Sequence, residues 1–182
     1  MKISEVLVFL TLISCAETVT GPEVTDTVQA VNNRDYFQTV LGGIEGATQE
    51  IDVLMYLTKF TPESEDSVYI ILTALVNASR RGLEVKVLLE NSVEENMLTA
   101  DYLISQGIDV KLDPSDVTTH AKFMLIDCQF LLLGSSNWTN HALRLNNEAN
   151  LLVSQRRLAQ QYHSFFDQLW CISETPVGSA SF

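Results

Sequence analysis

The sequence predicts an α/β fold in one domain, because short apolar segments alternate along the chain with longer segments of helical periodicity. The chain has 182 residues, of which 46% are apolar and 19% are charged. It is therefore long enough to build one sizeable core and has the composition of a folded globular protein. Residues 51–57 (IDVLMYL) are apolar at nearly every position, which indicates a strand near the centre of a sheet that is covered on both faces.

The helical segments place apolar residues three and four positions apart, and several of them end near a glycine. The predicted helices cover approximately residues 35–46, 68–81, 94–105 and 155–170. The predicted strands cover approximately residues 51–57, 83–89, 108–112, 120–126, 130–133 and 148–153. The connection at residues 127–129 allows only a tight turn, so the strands on either side of it are expected to be antiparallel. The sheet should therefore be mixed.

The first 14 residues are predicted to be a secretory signal, since Lys2 precedes a short apolar run over residues 6–14. This run is shorter than the ~20 apolar residues that a membrane-spanning helix needs. Residues 12–15 (LISC) resemble a bacterial lipobox, which implies cleavage before Cys15 and a diacylglycerol on its thiol. We expect an exported protein, either periplasmic or anchored to a membrane as a lipoprotein, and otherwise secreted. The alternative is that the apolar run is a helix or strand of the domain itself.

The remainder of the chain divides into three parts. Residues 15–34 are rich in threonine, valine and acidic residues and are predicted to be a tether or a loose lead-in. Residues 35–170 contain all the helices and strands predicted above and form the expected domain. Residues 171–182 are predicted to be a loose C-terminal tail.

The three cysteines suggest a possible disulfide. If Cys15 carries a lipid, Cys128 and Cys171 remain as an even pair, and an oxidising compartment would allow them to bond. Two ordinary buried thiols are the alternative. No combination of cysteine and histidine in the sequence has the spacing of a zinc site, so no metal is expected.

The formal net charge of −12 is large for a chain of this size. A strongly acidic surface repels polyanions at long range, which disfavours tight non-specific binding to nucleic acid or anionic lipid. The net charge describes the surface as a whole, so it still allows a small basic cleft.

Chemically reactive residues concentrate in residues 118–150, at the ends of apolar strands. His120 and Lys122 are two apart, so in a strand they would share one face. An imidazole beside an ammonium suits a phosphoryl group, because Lys122 can neutralise its oxygens while His120 attacks phosphorus or transfers a proton.

A second set of polar residues follows the next predicted strand. Gly134 permits a close backbone approach, and Ser135 and Asn137 supply neutral hydrogen-bond donors. Glu148 begins the strand after that, where it can accept a hydrogen bond from one nitrogen of His120 and so fix the tautomer of the ring.

Together these residues form a spaced motif that resembles the signature of the phospholipase D superfamily without a gap. The motif is His120-x-Lys122-x4-Asp127-x6-Gly134-Ser135-x-Asn137. Glu148 resembles the acidic position downstream of that signature, and the likeness extends over roughly residues 35–170. It implies a phospholipase D-like domain, with a mixed β-sheet flanked by helices on both faces.

The resemblance also implies roles for the matching residues. His120 would be the nucleophile that forms a phosphohistidine, and Glu148 would orient it. Lys122 and Asn137 would bind the non-bridging oxygens of the phosphate, with Ser135 nearby. The superfamily needs no metal or other cofactor for this reaction.

Other residues of this region have less distinct predictions. Asp127 belongs to the motif, but we expect it to hold its turn and its neighbours rather than to donate a proton. His141 and His163 lack a lysine two residues on and are expected to be structural or exposed. Trp138 can either line the site or pack in the core.

The number of matching motifs in the chain predicts its oligomeric state. The superfamily's chemistry uses two histidines, one that attacks and one that protonates the leaving group. This chain carries one matching motif, so the second must come from another copy. We therefore expect a C2 homodimer in which two motifs complete one active site.

The expected function is hydrolysis of phosphodiester bonds. Short, single-motif members of the family are often endonucleases, so nucleic acid is the first expected substrate. A phospholipase D that releases a phospholipid head group is the close alternative, favoured by the acidic charge and the predicted lipid anchor. An inactive phosphate-binding module is a remote alternative, because both His120 and Lys122 are present.

Overall fold

The computed structural model describes residues 26–176. They form a seven-stranded β-sheet with helices packed on both faces, together with a separate two-stranded sheet. The predicted signal segment, Cys15, the predicted tether up to residue 25 and the tail from residue 177 lie outside the described residues.

The chain alternates between strands and helices, as predicted. The helices are α1 (Asp35–Gly46), α2 (Ser67–Arg80), α3 (Glu95–Ser105), α4 (Asn140–Arg144) and α5 (Arg156–Ile172). The strands are β1 (Thr27–Ala30), β2 (Glu50–Met55), β3 (Thr58–Lys59), β4 (Glu84–Leu89), β5 (Asp109–Leu112), β6 (Lys122–Ile126), β7 (Phe130–Gly134), β8 (Trp138–Thr139) and β9 (Asn150–Ser154).

The large sheet has the strand order β1-β9-β7-β6-β2-β4-β5. Strands β2, β4 and β5 are parallel, and every other neighbouring pair in this sheet is antiparallel. As a result, the carboxyl ends of β2, β4, β5 and β7 meet the amino ends of β6 and β9 at one end of the sheet. This end is called the upper end below, and the opposite one the lower end.

Two apolar layers hold the helices against the sheet. One face packs against α1, α2 and α3, with α4 on the same side, and the other face packs against α5. Side chains of β6 alternate between the two layers: Met124 faces the first, whereas Phe123 and Leu125 face α5. Phe123 meets the ring of Tyr162 edge-on, with ring centroids 5.3 Å apart. The predicted mixed sheet with helices on both faces is thus confirmed.

The predicted tether is wrong in its described part. Thr27–Ala30 forms the edge strand β1, which pairs with β9 and so belongs to the domain. All four of its residues are exposed, and the segment TVQA is too short for its alternation of polar and apolar residues to distinguish a strand from a loop. The predicted tail also begins too early, because α5 continues to Ile172 and Glu174 exchanges two backbone hydrogen bonds with Leu112, at 2.8 and 3.0 Å.

The possible disulfide between Cys128 and Cys171 does not form. Cys128 is buried in the turn after β6, at the lower end of the sheet, whereas Cys171 is exposed near the carboxyl end of α5, at the upper end. Neither thiol is within reach of the other. Within residues 26–176, the structure contains no helix with the length and apolarity needed to cross a membrane.

Candidate active site

His120 and Lys122 lie side by side at the upper end of the sheet. Lys122 is the first residue of β6 and is 9% exposed, whereas His120 belongs to the preceding loop and is exposed. Lys122 Nζ donates to the carbonyl oxygen of His120 at 2.7 Å and lies 3.3 Å from His120 Nδ1. The prediction of one shared strand is therefore wrong for His120, since β6 begins two residues later. The two side chains are nevertheless adjacent, through this contact rather than through strand periodicity.

Tyr56 contacts both His120 and Lys122. It follows β2, in which Met55 pairs with Lys122. Its ring lies against the imidazole of His120, with centroids 4.3 Å apart, and Lys122 Nζ is 4.9 Å from the ring centroid. This distance is within the range of a cation–π interaction. Sequence reasoning did not assign Tyr56 to the site, although its position directly after a central strand was a usable signal.

Gly134 and the residues after it are held closely against the start of β9. A Cβ atom at Gly134 would lie 2.2 Å from Asn150 Oδ1 and 2.5 Å from the carbonyl oxygen of Ala149, so only glycine fits there. The N–H of Ser135 donates to the Ala149 carbonyl at 3.1 Å, and that of Ser136 donates to Asn150 Oδ1 at 3.2 Å. This attachment places residues 135–137 beside β6 at the upper end of the sheet.

Glu148 is held by polar contacts on several sides. Its carboxylate accepts a hydrogen bond from Ser135 Oγ and another from Asn146 Nδ2 at 3.0 Å, while its N–H donates to Asn33 Oδ1 at 2.9 Å. Within the described chain, Glu148 does not make the expected hydrogen bond to His120. Its direct effect in a single chain is to orient the Ser135 hydroxyl.

The side-chain oxygen of Asn137 lacks a hydrogen-bond partner, and Lys122 lacks an ion-pair partner, among the described residues. Asn137 Oδ1 is buried and has no hydrogen-bond partner among the described residues. Burial lowers the pKa of Lys122, and the negative charge of Glu148 partly opposes this effect. None of the ion pairs found in residues 26–176 involves Lys122. A partly desolvated ammonium without a salt-bridge partner favours the binding of an anion.

Asp127 lies at the lower end of the sheet, away from these residues. It follows β6, whose five residues separate it from Lys122 by roughly 16 Å at 3.3 Å per residue. Its backbone is left-handed, with φ of 53°. Its carboxylate accepts hydrogen bonds from Thr48 N–H and Oγ1 and from the N–H groups of Gln49 and Glu50, at 2.8 to 3.1 Å. In the described chain Asp127 thus ties the turn after β6 to the start of β2 and makes no contact with His120 or Lys122.

The other predicted residues lie outside the site. Trp138 is fully buried and packs in the core, so of the two alternatives it takes the structural one. His141 is exposed on α4. His163 lies on the α5 side of the sheet, with Nε2 3.4 Å from Asp52 and Nδ1 3.2 Å from Asp167. The described residues contain no group of three or more His, Cys, Asp or Glu side chains arranged to hold a metal ion.

Several curated proteins are similar to this chain. A phospholipase D of Rickettsia prowazekii is 32% identical over 117 residues, which are 59% of this chain and 57% of that protein. A mitochondrial cardiolipin hydrolase of Chlamydomonas reinhardtii is 30% identical over 125 residues, or 68% of this chain and 52% of that protein. The corresponding hydrolase of Xenopus laevis is 27% identical over 167 residues, or 91% of this chain and 76% of that protein. The chain thus spans little more than half of the length of the first two relatives.

Two solved structures share the fold. Nuc from Salmonella typhimurium, a phospholipase D family member, superimposes with a TM-score of 0.72 at 22% identity, covering 84% of this chain and 99% of Nuc. NucT from Helicobacter pylori gives a TM-score of 0.68 at 18% identity, covering 82% of this chain and all of NucT. The order of strands and helices described above is therefore that of the phospholipase D fold.

A family model places the chain in this group from its sequence. The model described as "Cardiolipin synthase, PLD-like domain" matches residues 40–170. This range runs from α1 to α5 and includes every residue assigned to the site above, so the chain belongs to the phospholipase D-like family.

Proposed function

We propose that this protein hydrolyses phosphodiester bonds by nucleophilic attack of His120 on phosphorus. The observation that carries the proposal is the contact of Lys122 Nζ with His120 Nδ1 at 3.3 Å, at a sheet end where the ammonium has no carboxylate partner among residues 26–176. A phosphodiester monoanion would supply the missing negative charge. Asn137 follows β7, the strand paired with β6, and its amide N–H is the group that would donate to a phosphate oxygen.

The proposed reaction has two steps. When the phosphate draws the ammonium of Lys122 to its oxygens, His120 Nδ1 is free to carry the ring proton and Nε2 can attack. The bond from Nε2 to phosphorus forms, the bond to the leaving oxygen breaks, and a second histidine protonates that oxygen. Water then attacks phosphorus, the second histidine takes its proton, and the bond to Nε2 breaks. None of these steps requires a metal ion or another cofactor.

The second histidine is proposed to come from a second copy of the chain. His120 has the only lysine-paired histidine motif in the sequence, since His141 and His163 lack the lysine. The exposure of His120 at the upper end of the sheet leaves it accessible to a partner that approaches this end. A two-fold axis there would bring two copies of His120 to opposite sides of one phosphate.

Mixing subunits tests this arrangement. Co-expression of wild-type chain with His120→Ala chain in varied ratios should give activity that falls as the square of the wild-type fraction, because only one kind of dimer has both histidines. Activity proportional to the wild-type fraction would contradict a shared site. His141→Ala chain, which changes an exposed histidine on α4, is the matched control and should leave activity independent of the ratio.

Two substrate classes are proposed. Nucleic acid is the expectation for a short, single-motif chain. A phospholipid is favoured by the net charge of −12, which repels a long polyanion, and by the names of the similar curated proteins, a phospholipase D and cardiolipin hydrolases. The chemistry at phosphorus is the same in both cases.

Parallel assays in the presence of EDTA separate the two classes. Purified protein is incubated with single-stranded DNA and with phosphatidylcholine or cardiolipin vesicles, beside His120→Ala, Lys122→Ala and the control His141→Ala. Cleavage of lipid but not of DNA would exclude the nuclease, and the converse would exclude the lipase. Activity that survives in His120→Ala, or that disappears with EDTA, would contradict the proposed mechanism.

We also propose that the protein is exported and anchored through a lipid on Cys15. The support is the resemblance of residues 12–15 to a lipobox. Intact-mass analysis of protein from a bacterial host should show loss of residues 1–14 and addition of the lipid, and Cys15→Ser should abolish both. An unprocessed N-terminus would contradict the proposal.

A further inference from the structure

Two acidic side chains are buried beside the loop that carries His120. Glu90 directly follows β4 and Asp113 directly follows β5, and both residues are 2% exposed. The last residues of these parallel strands, Leu89 and Leu112, are paired in register, so the two carboxyl groups emerge next to each other at the upper end of the sheet. Buried acidic residues are rare unless they have a compensating partner.

Both carboxyl groups accept a hydrogen bond from the same backbone N–H. Thr119 N–H donates to Glu90 Oε2 at 2.5 Å and to Asp113 Oδ2 at 3.2 Å. Thr119 immediately precedes His120, which lies outside β6 and therefore has no strand ladder to fix it. The hydrogen bonds to Thr119 thus anchor the loop one residue away from the proposed nucleophile.

The carboxyl groups are themselves fixed by the segment that follows β4. Ser92 N–H and Oγ donate to Glu90 Oε1 at 3.1 and 2.5 Å, and Asn91 N–H donates to Asp113 Oδ1 at 2.6 Å. Each acid therefore has one oxygen held by this segment and the other directed at Thr119. The arrangement connects β4 and the edge strand β5 to the His120 loop through buried groups.

Because the same N–H donates to Glu90 Oε2 and to Asp113 Oδ2, these two oxygens are close neighbours, and a proton on one of the acids relieves the repulsion between them. Burial raises the pKa of Asp113, and the adjacent negative charge of Glu90 raises it further against the hydrogen bonds from Thr119 and Asn91. Burial would also raise the pKa of Glu90, but the hydrogen bonds from Ser92 and Thr119 outweigh it and lower that pKa. Of the two acids, Asp113 is therefore the one whose protonated form is favoured.

We propose that Glu90 and Asp113 act as a positioning pair, which holds His120 in its reactive place only while the pair retains one proton. This inference rests on the proposed attack by His120. Loss of the shared proton would place two buried carboxylates against each other, and their repulsion would release Thr119. Displacement of a reacting group by about 1 Å is sufficient to lower a rate by about a hundredfold.

Other titratable groups surround the pair. Asp116, from the same loop, and Glu174, from the segment after α5, line a cavity of about 340 Å³ together with Asp113. Lys111 on β5 is engaged with the carbonyl oxygen of Trp170 at 2.8 Å. His120 and Lys122 belong to the same site, so the test needs variants that change the pair and leave these two residues in place.

Asp113→Asn is the main variant. Its amide can still donate to Glu90, as the protonated acid does, but it cannot ionise. We expect the kcat of the wild type on bis(p-nitrophenyl) phosphate to fall as the pH rises through the raised pKa of Asp113. This component of the pH profile should be missing in Asp113→Asn. The KM should change by less than about twofold, because Lys122 and Asn137 are untouched. Asp116→Asn, an exposed acid of the same loop, is the matched control and should keep the wild-type profile.

Glu90→Gln provides the second test. It keeps the size of the side chain but loses the negative charge that accepts the Thr119 N–H, so kcat should fall at least about tenfold at every pH with little change in KM. If this variant does not fold, the profile of Asp113→Asn decides alone. A profile of Asp113→Asn identical to that of the wild type would overturn the inference, even when His120→Ala is inactive. An active His120→Ala would instead overturn the proposed function on which the inference rests.

Discussion

The ring of Tyr56 lies against the imidazole of His120, with centroids 4.3 Å apart, and the same ring faces the ammonium of Lys122 at 4.9 Å. One aromatic side chain thus contacts both members of the proposed catalytic pair. His120 is in a loop and Lys122 is in a strand, so a rigid group that touches both limits how far they can separate. Tyr56 is itself fixed, because it directly continues the central strand β2.

Removal of this ring should therefore reduce catalysis more than substrate binding. Tyr56→Leu is expected to lower kcat about tenfold, through loss of ring contacts worth about 1 kcal/mol or more. Tyr56→Phe keeps the ring and should stay within about threefold of the wild type. Steady-state kinetics on a soluble phosphodiester measures both. Equal losses in the two variants would show that the hydroxyl, rather than the ring, matters.

The contribution of Tyr56 shows where sequence reasoning about this site ends. His120, Lys122, Gly134 and Asn137 are close in sequence and have a recognisable spacing, so the motif identifies them without knowledge of the fold. Tyr56 comes from a distant part of the chain and reaches the site only because β2 and β6 are neighbours. A linear sequence shows that a residue follows a strand but not which strands are adjacent.

The same limit applies to the acids of the positioning pair. Glu90 and Asp113 each follow a predicted strand, but their burial and their shared contact with Thr119 depend on the pairing of β4 with β5.

Other elements were not predicted because they are too short. The helix Asn140–Arg144 is too short to show a period of 3.6 residues, and β3 and β8 have only two residues each.

Asp127 should contribute to stability and not to turnover. Asp127→Ala removes the acceptor of several backbone hydrogen bonds and places alanine at a φ of 53°. We expect a loss of about 2–4 kcal/mol in the free energy of unfolding. Asp127→Asn keeps one carbonyl oxygen and tolerates this backbone conformation, so it should lose less.

Urea denaturation of the two variants measures these losses. The kcat of the folded fraction should remain within about twofold of the wild type in both. A fall of kcat by a hundredfold in a fully folded Asp127→Asn would return this residue to the catalytic group.

Asp52 should make stability depend on pH. It is 2% exposed, and burial raises its pKa to about 7, against the opposing charge of His163. Since the folded pKa is above the unfolded value of 3.8, the folded state binds this proton more tightly. The stabilisation from that proton is complete below about pH 4 and is lost as the pH rises through about 7.

Asp52→Asn should therefore be more stable than the wild type at pH 8, by on the order of 2 kcal/mol, with the difference shrinking toward pH 5. Thermal and urea unfolding across this range provide the measurement. Asp109→Asn, an exposed acid on β5, is the control and should show no such trend. A constant difference between wild type and Asp52→Asn at all pH values would contradict this account.

Lys122 should oppose stability while it supports catalysis. Its ammonium is desolvated and has no ion pair among the described residues, and burial lowers its pKa. Lys122→Met keeps the length of the side chain and removes the charge. We expect unfolding to occur at the same temperature as in the wild type or a higher one, whereas kcat falls by at least about a hundredfold through loss of charge stabilisation at phosphorus.

Inorganic phosphate or vanadate should distinguish the two effects of Lys122. Such an anion, bound at the site, should raise the unfolding temperature of the wild type but not that of Lys122→Met, because only the wild type has a buried positive charge for the anion to neutralise. Lys59→Met is the matched control: Lys59 is exposed and pairs with Glu95 at 3.4 Å, so its loss should leave the anion effect intact. If Lys122→Met unfolds at a lower temperature and still responds to phosphate, the lysine holds the structure together rather than the substrate.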